Sequence, residues 1–167
     1  MVYKSSFSKQ MLTSTIVFII IFAAALVYMI YQLSSAQKWS ISSYIIICAF
    51  ILVCAALLHG FCSQIRKVEL ANDSLVIHKM CGSIHVPLKD ITEVNRKTSP
   101  KNDVRLFAIG GLFGYIGQIK GYDCGRYQAF INNGDNAFYF KTKEGKCYAA
   151  SCDNVNQLIA AVKEQLH

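Results

Sequence analysis

Apolar positions along this chain follow two very different patterns. From Met11 to Tyr31, and again from Ile41 to Gly60, they run on with no Asp, Glu, Lys or Arg among them, and only Gln32–Ser40 separates the two runs. The hydrocarbon core of a bilayer is roughly 30 Å thick, a distance that about twenty helical residues cross. The runs predict two membrane-spanning helices, residues 11–31 and 41–60, folded as an antiparallel hairpin within a first unit, residues 1–66. Small residues cluster in both: Ala23, Ala24 and Ala25 in the first, Cys48, Ala49, Ala55 and Ala56 in the second. Small side chains let helix backbones approach where water cannot drive association, so these residues predict the packing seam.

Beyond Arg66–Lys67 the pattern shortens to period two. Val68–Ala71, Ser74–Met80, Ile84–Leu88, Ile91–Arg96, Val104–Ile109, Tyr127–Ile131, Ala137–Thr142 and Lys146–Ser151 read as strands. Asn72-Asp73, Cys81-Gly82-Ser83, Asn132–Asp135 and Glu144-Gly145 supply the turns between them. Thr98–Asp103 reads as an exposed loop. Val155, Leu158, Ile159 and Val162 then return to helical spacing, which predicts a helix through Leu166 with Asp153 or Asn154 as its N-cap. About seven short strands closed by one helix make residues 67–167 an α+β domain, the helix plugging the open end of a strongly bent sheet or small barrel.

Charge adds a direction. The chain carries +7 overall, but all ten acidic residues and fourteen of the seventeen basic ones lie from Arg66 onward, interleaved. Such a mild, mixed field lacks the basic stripe of a nucleic-acid binder. Lys4 and Lys9 precede the first run, Arg66 and Lys67 follow the second, and Lys38 alone lies between. The positive-inside bias then places the N-terminus and the 67–167 domain on the cytoplasmic side of a cell membrane, the inner membrane in a bacterium. Tyr28, Tyr31, Trp39 and Tyr44 suit the outer interface. A competing reading makes the first run a secretory signal cleaved after Ser34-Ser35-Ala36, although the run exceeds the 7–15 residues of a signal core. The seven cysteines include no Cys-x-x-Cys, which points to reduced thiols rather than a disulfide framework. Cys62, at the membrane edge, is either an acylation site or a small apolar residue at a helix end.

Candidate chemistry is sparse. His59 is the one ionisable group within the runs, close enough to the inner end to reach the headgroups. Gly110–Gly117 lacks both the following helix and the Lys-Ser/Thr of a phosphate loop. Phe113 and Tyr115, with Lys120 and Arg126 shortly after, form a candidate contact with a partner or an anionic membrane surface, apolar at its tip and basic at its flanks. The competing reading is a glycine-kinked strand that fills the core. His78, His85 and Cys81 fall on one hairpin, but not at a recognised metal-ligand spacing. Asp123-Cys124 has no base placed beside it, and Asp90 and Glu93 read as surface carboxylates. No catalytic residue, cofactor or metal is expected.

Three stretches carry a resemblance: "IHVPLKDITEV" at Ile84–Val94, "RLFAIGGLFGYIGQIKG" at Arg105–Gly121 and "AFYFKTKEGKCYAASCDNVNQLIAAVKEQL" at Ala137–Leu166. Together they resemble the bacterial PH-like (pleckstrin-homology-like) domain family over residues 67–167. The resemblance implies a curved two-sheet barrel capped by the C-terminal helix, often found beside transmembrane helices, and no single activity. Phosphoinositide-binding PH domains carry basic residues in the first hairpin, where this chain has the short, acidic Ala71-Asn72-Asp73; inositol phosphates are not expected there. The expected function is a non-enzymatic, membrane-anchored module that binds or scaffolds a membrane or cytosolic protein, with envelope-stress protection or bacteriocin immunity as one form of it. Membrane lipids are further expected partners, nucleic acid is not, and free sheet edges allow self-association. The alternative is a small membrane enzyme or transporter accessory subunit acting on a lipid or peptide.

Overall fold

The computed structural model describes residues 1–35, 41–97, 102–110 and 114–166. Two long helices, α1 (Lys9–Ser35) and α2 (Ile41–Cys62), contain the stretches Lys9–Gln32 and Ser43–Cys62, each long and apolar enough to cross a membrane. Their apolar residues point outward: Ile16, Ile20 and Val27 on α1, and Ile45, Leu52 and Leu58 on α2, are exposed. A helix that is apolar all round and left uncovered by its own chain suits lipid better than water.

The seam between the helices differs from the expected one. Partly buried positions recur in steps of three and four, at Thr15, Phe18, Phe22, Leu26 and Met29 and at Ile47, Phe50, Cys54 and Leu57. Phe22 stacks on Phe50 across the pair, with ring centroids 5.1 Å apart. The alanines of both helices and Cys48 are exposed. Interlocked aromatic rings, not close approach of small residues, make this contact.

The strands are β1 (Val2–Lys4), β2 (Ile65–Leu70), β3 (Ser74–Lys79), β4 (Ser83–Pro87), β5 (Ile91–Arg96), β6 (Val104–Gly110), β7 (Tyr115–Gly121), β8 (Gly125–Ile131), β9 (Ala137–Thr142) and β10 (Cys147–Ser151); α3 (Val155–Leu166) ends the fold. They form a four-stranded sheet, β1-β2-β3-β4, and a six-stranded sheet, β5-β9-β10-β8-β7-β6. Neighbours are antiparallel except for the parallel pair β8 and β10. Alternation along β9 divides its side chains between two cores. Phe138 and Phe140 join Val68, Leu75 and Ile77 of the first sheet, together with Val155, Leu158 and Val162 of α3. Ala137 and Tyr139 face a second cluster with Ile119, Tyr127 and Ile131. The fold is α+β, a two-sheet sandwich with α3 packed on it, and α3 buries the face its spacing predicts.

Two of the ten described strands escaped the sequence reading. β7 lies within the glycine-rich stretch. β1 precedes α1, and its residues Val2, Tyr3 and Lys4 pair with Glu69, Val68 and Lys67 of β2. Asp153 helps to hold that segment: its carboxylate accepts from the Ser6 amide at 2.9 Å and the Ser6 hydroxyl at 2.7 Å. Asn154 is left in the N-cap position, its carbonyl accepting the Leu158 amide. Met11, in the first turn of α1, is buried in the second core. The chain thus leaves the first sheet at β1, runs through both apolar helices and returns beside its point of departure at β2.

Candidate functional site

Among the described residues, the glycine-rich stretch is two extended strands with no helix after either, so they offer no helix N-terminus to a phosphate. Gly111, Leu112 and the candidate Phe113 lie outside the described residues. Tyr115, at the start of β7, is only 6% exposed. The Arg105 guanidinium covers its ring at 5.6 Å from the centroid. Lys120 and Arg126 are exposed and directly opposite each other on β7 and β8. Tyr115 and the Lys120–Arg126 pair stand at opposite ends of β7.

Each histidine of the β3–β4 hairpin has its own partner. His78 Nε2 lies 3.0 Å from Glu69 Oε2, and His85 Nε2 lies 2.9 Å from Ser83 Oγ. Among the described residues, no group of three or more His, Cys, Asp or Glu side chains could hold a metal. Glu93 Oε2 meets Lys141 Nζ at 2.8 Å, and its other oxygen accepts from Tyr139. The hydrogen bonds from Lys141 and Tyr139 hold the Glu93 carboxyl below the usual carboxylate range. A cleft of about 930 Å³ opens between the β2–β3 turn, the segment after β4 and the end of α3. Asp73, in the turn of the first hairpin, lines it with Lys89 and Lys143.

The most concentrated chemistry was not visible in the sequence. Lys97, just past β5, has a side chain 1% exposed, and its ammonium lies 2.9 Å from Asp103 Oδ2 and 3.1 Å from Asp123 Oδ2. The Tyr127 hydroxyl donates to Asp103 Oδ2 at 2.7 Å, and Lys97 Nζ sits 5.0 Å from the centre of the Tyr127 ring. Asp103, expected in an exposed loop, has a side chain only 6% exposed. Burial alone would depress the Lys97 ammonium, but hydrogen bonds to Asp103 and Asp123 outweigh it and hold the pKa above its ordinary value. Burial and then the Asp103 carboxylate push Tyr127 up.

The pair Asp123-Cys124 divides between two tasks. Asp123 binds Lys97, while Cys124 meets the thiol of Cys147, which lowers the Cys124 pKa and raises that of Cys147; the Lys97 charge adds to the lowering. Burial pushes the Cys152 thiol up to about 12. Iodoacetamide at pH 8 is therefore expected to modify Cys124 and the exposed Cys81 of the folded protein well before Cys152, because the thiolate is the reactive form. Peptide mass spectrometry over a time course checks this; equal rates at Cys152 and Cys124 would refute the ordering.

The sequence pattern that defines the bacterial PH domain matches residues 66–166. This chain belongs to the bacterial PH domain family. The match begins at the start of β2, so the PH domain as the family defines it omits β1, which completes its first sheet here. No curated protein matches the chain, and no solved structure does.

Proposed function

We propose that this PH-domain chain is a non-enzymatic, membrane-anchored module that holds a protein partner at the cytoplasmic face of a cell membrane. The observation that supports this most is the splicing of the apolar hairpin between the neighbouring strands β1 and β2. A domain joined to the bilayer through both helices keeps a constant face toward it. The basic residues flanking the hairpin favour the cytoplasmic side. Anchoring raises effective concentration, so a weak contact becomes useful once both partners share a surface.

The edge of β6 is the surface best suited to that contact. β6 ends the six-stranded sheet, with its outer backbone edge unpaired among the described residues, and Phe107 on it is 84% exposed. An edge with exposed apolar side chains takes an extended segment of another protein as an added strand. Protection of the envelope, by occupying a membrane partner or blocking a toxin, is one form of this role.

Two measurements on the full-length chain test the reading. The protein is expected to stay in the membrane pellet through alkaline carbonate extraction. A photo-crosslinking residue at position 107 is expected to give one discrete protein adduct that the same residue at the exposed position 146 does not give. Release by carbonate rules out the anchor. Absence of the adduct rules out the β6 edge, and an adduct of twice the chain's mass gives that edge to a second copy instead.

A further inference from the structure

Two cysteines face each other where the membrane helices join the sheets. Cys62 is the last residue of α2, and Cys81 stands in the turn between β3 and β4. Backbone hydrogen bonds fix the junction: the Cys81 amide donates to the Cys62 carbonyl at 3.0 Å, and the Met80 amide to the Gln64 carbonyl at 2.8 Å. Gly82, at φ +86°, closes the turn in a conformation that side-chain-bearing residues rarely adopt. The two sulfurs are 2.7 Å apart, the Cys81 thiol donating to Cys62. A disulfide bond is about 2.05 Å long, so the sulfurs need to close by less than an ångström, across a junction already held by the backbone. Cys81 is exposed and Cys62 partly so, whereas Cys147 and Cys152 are buried.

We propose that Cys62 and Cys81 form a redox modification site, at which a low-molecular-weight disulfide of the glutathione class links the end of α2 covalently to the β3–β4 turn. The more exposed Cys81 loses its proton and attacks one sulfur of the oxidant, forming a mixed disulfide and releasing one thiolate. Cys62 then loses its proton and attacks the Cys81 sulfur, and the second thiolate leaves. The two protons end on the two released thiols. Two electrons pass from the protein to the oxidant, one S–S bond having broken and one having formed. The product is partly exposed, so excess small thiol reverses the exchange. In the reduced form Ser63, Gln64 and hydrogen bonds tie α2 to this edge of the domain; oxidation adds a covalent staple.

The test uses the full-length chain in mild detergent, treated with oxidised glutathione, blocked with maleimide and digested with trypsin without reductant. Trypsin can cut after Arg66, Lys67 and Lys79, all between the two cysteines. The Cys62 and Cys81 peptides then remain together only through a disulfide. The expected product, from monomeric protein, is a linked pair that separates on reduction and disappears in both Cys62→Ser and Cys81→Ser. It persists in Cys54→Ser. Unchanged melting of the two serine variants before oxidation shows that both fold. Thiols left free, Cys81 held only as a glutathione adduct, a Cys81–Cys81 dimer, or a linked pair surviving Cys62→Ser would each overturn the proposal.

Discussion

Gly117→Ala is expected to destabilise the folded domain by about 3–5 kcal/mol, combining backbone strain with overpacking against a rigid neighbour. Gly117 has φ +119°, and a Cβ there would collide with the Phe107 carbonyl oxygen and crowd Ala108 on β6. Both obstacles belong to the backbone or its first side-chain atom, so neither can swing aside. Gly114, at φ +107°, meets the Ile131 carbonyl in the same way. Gly82 is the control: its φ of +86° makes alanine strained, yet nothing lies within 4 Å of the added carbon. Gly82→Ala should therefore cost only about 1–2 kcal/mol. Thermal melting of Gly117→Ala, Gly114→Ala and Gly82→Ala in mild detergent measures the difference. About 4–8 °C per kcal/mol is expected for a domain of this size, so Gly117→Ala should melt at least ~10 °C below wild type. If Gly117→Ala and Gly82→Ala melt together, close strand approach does not explain the glycines.

That comparison also marks how far the sequence could be read. The glycine-rich stretch is conspicuous in one dimension, but its use depends on which backbone lies opposite each glycine, and that is set by β6 and β7 pairing. The apolar helices and α3 were legible because one periodicity, within one segment, determines each of them. β1 was not legible: three residues beside a long apolar run have no periodicity to detect, and they become a strand only because β2 offers an edge. The ion cluster was hidden for a related reason. Asp103 falls in a stretch that reads as an exposed loop, Tyr127 at the start of a strand, and Lys97 and Asp123 outside both, and only the sheet brings them together. Tyr115, Lys120 and Arg126 show the converse: they are near in sequence, yet Tyr115 begins β7 and Lys120, paired with Arg126 of β8, stands near its other end.

Lys97→Met is expected to cost about 3–5 kcal/mol, because it leaves a buried carboxylate without its counter-ion. Methionine keeps most of the lysine's apolar stem, so the loss reports the charge rather than the packing. Asp103, 6% exposed, is the residue stranded. Asp123 is 30% exposed and can turn to water, so Asp123→Asn should cost about 1 kcal/mol, as for a partly solvated pair. Lys97→Met/Asp103→Asn should recover much of the loss, since replacing both members of a buried pair is often close to neutral. The pH dependence has a defined sign. The folded-state pKa of Lys97 lies above its ordinary 10.5, so the stabilisation is complete below that value and disappears as pH rises through the higher, folded one. Wild-type melting should be insensitive to this group from pH 6 to about 9.5 and should fall in strong alkali, a fall that is smaller in Lys97→Met, where raised groups such as Tyr127 and Cys152 still favour the unfolded chain at high pH. Gly121 supplies an independent check, because a Cβ there would press on Asp103 Oδ2 at 2.7 Å and Lys97 Nζ at 3.0 Å. Gly121→Ala should destabilise wild type more than it destabilises the Lys97→Met variant, where one of the crowded groups is gone. Equal losses in the two backgrounds would mean that the cluster is not the constraint that keeps glycine at this position.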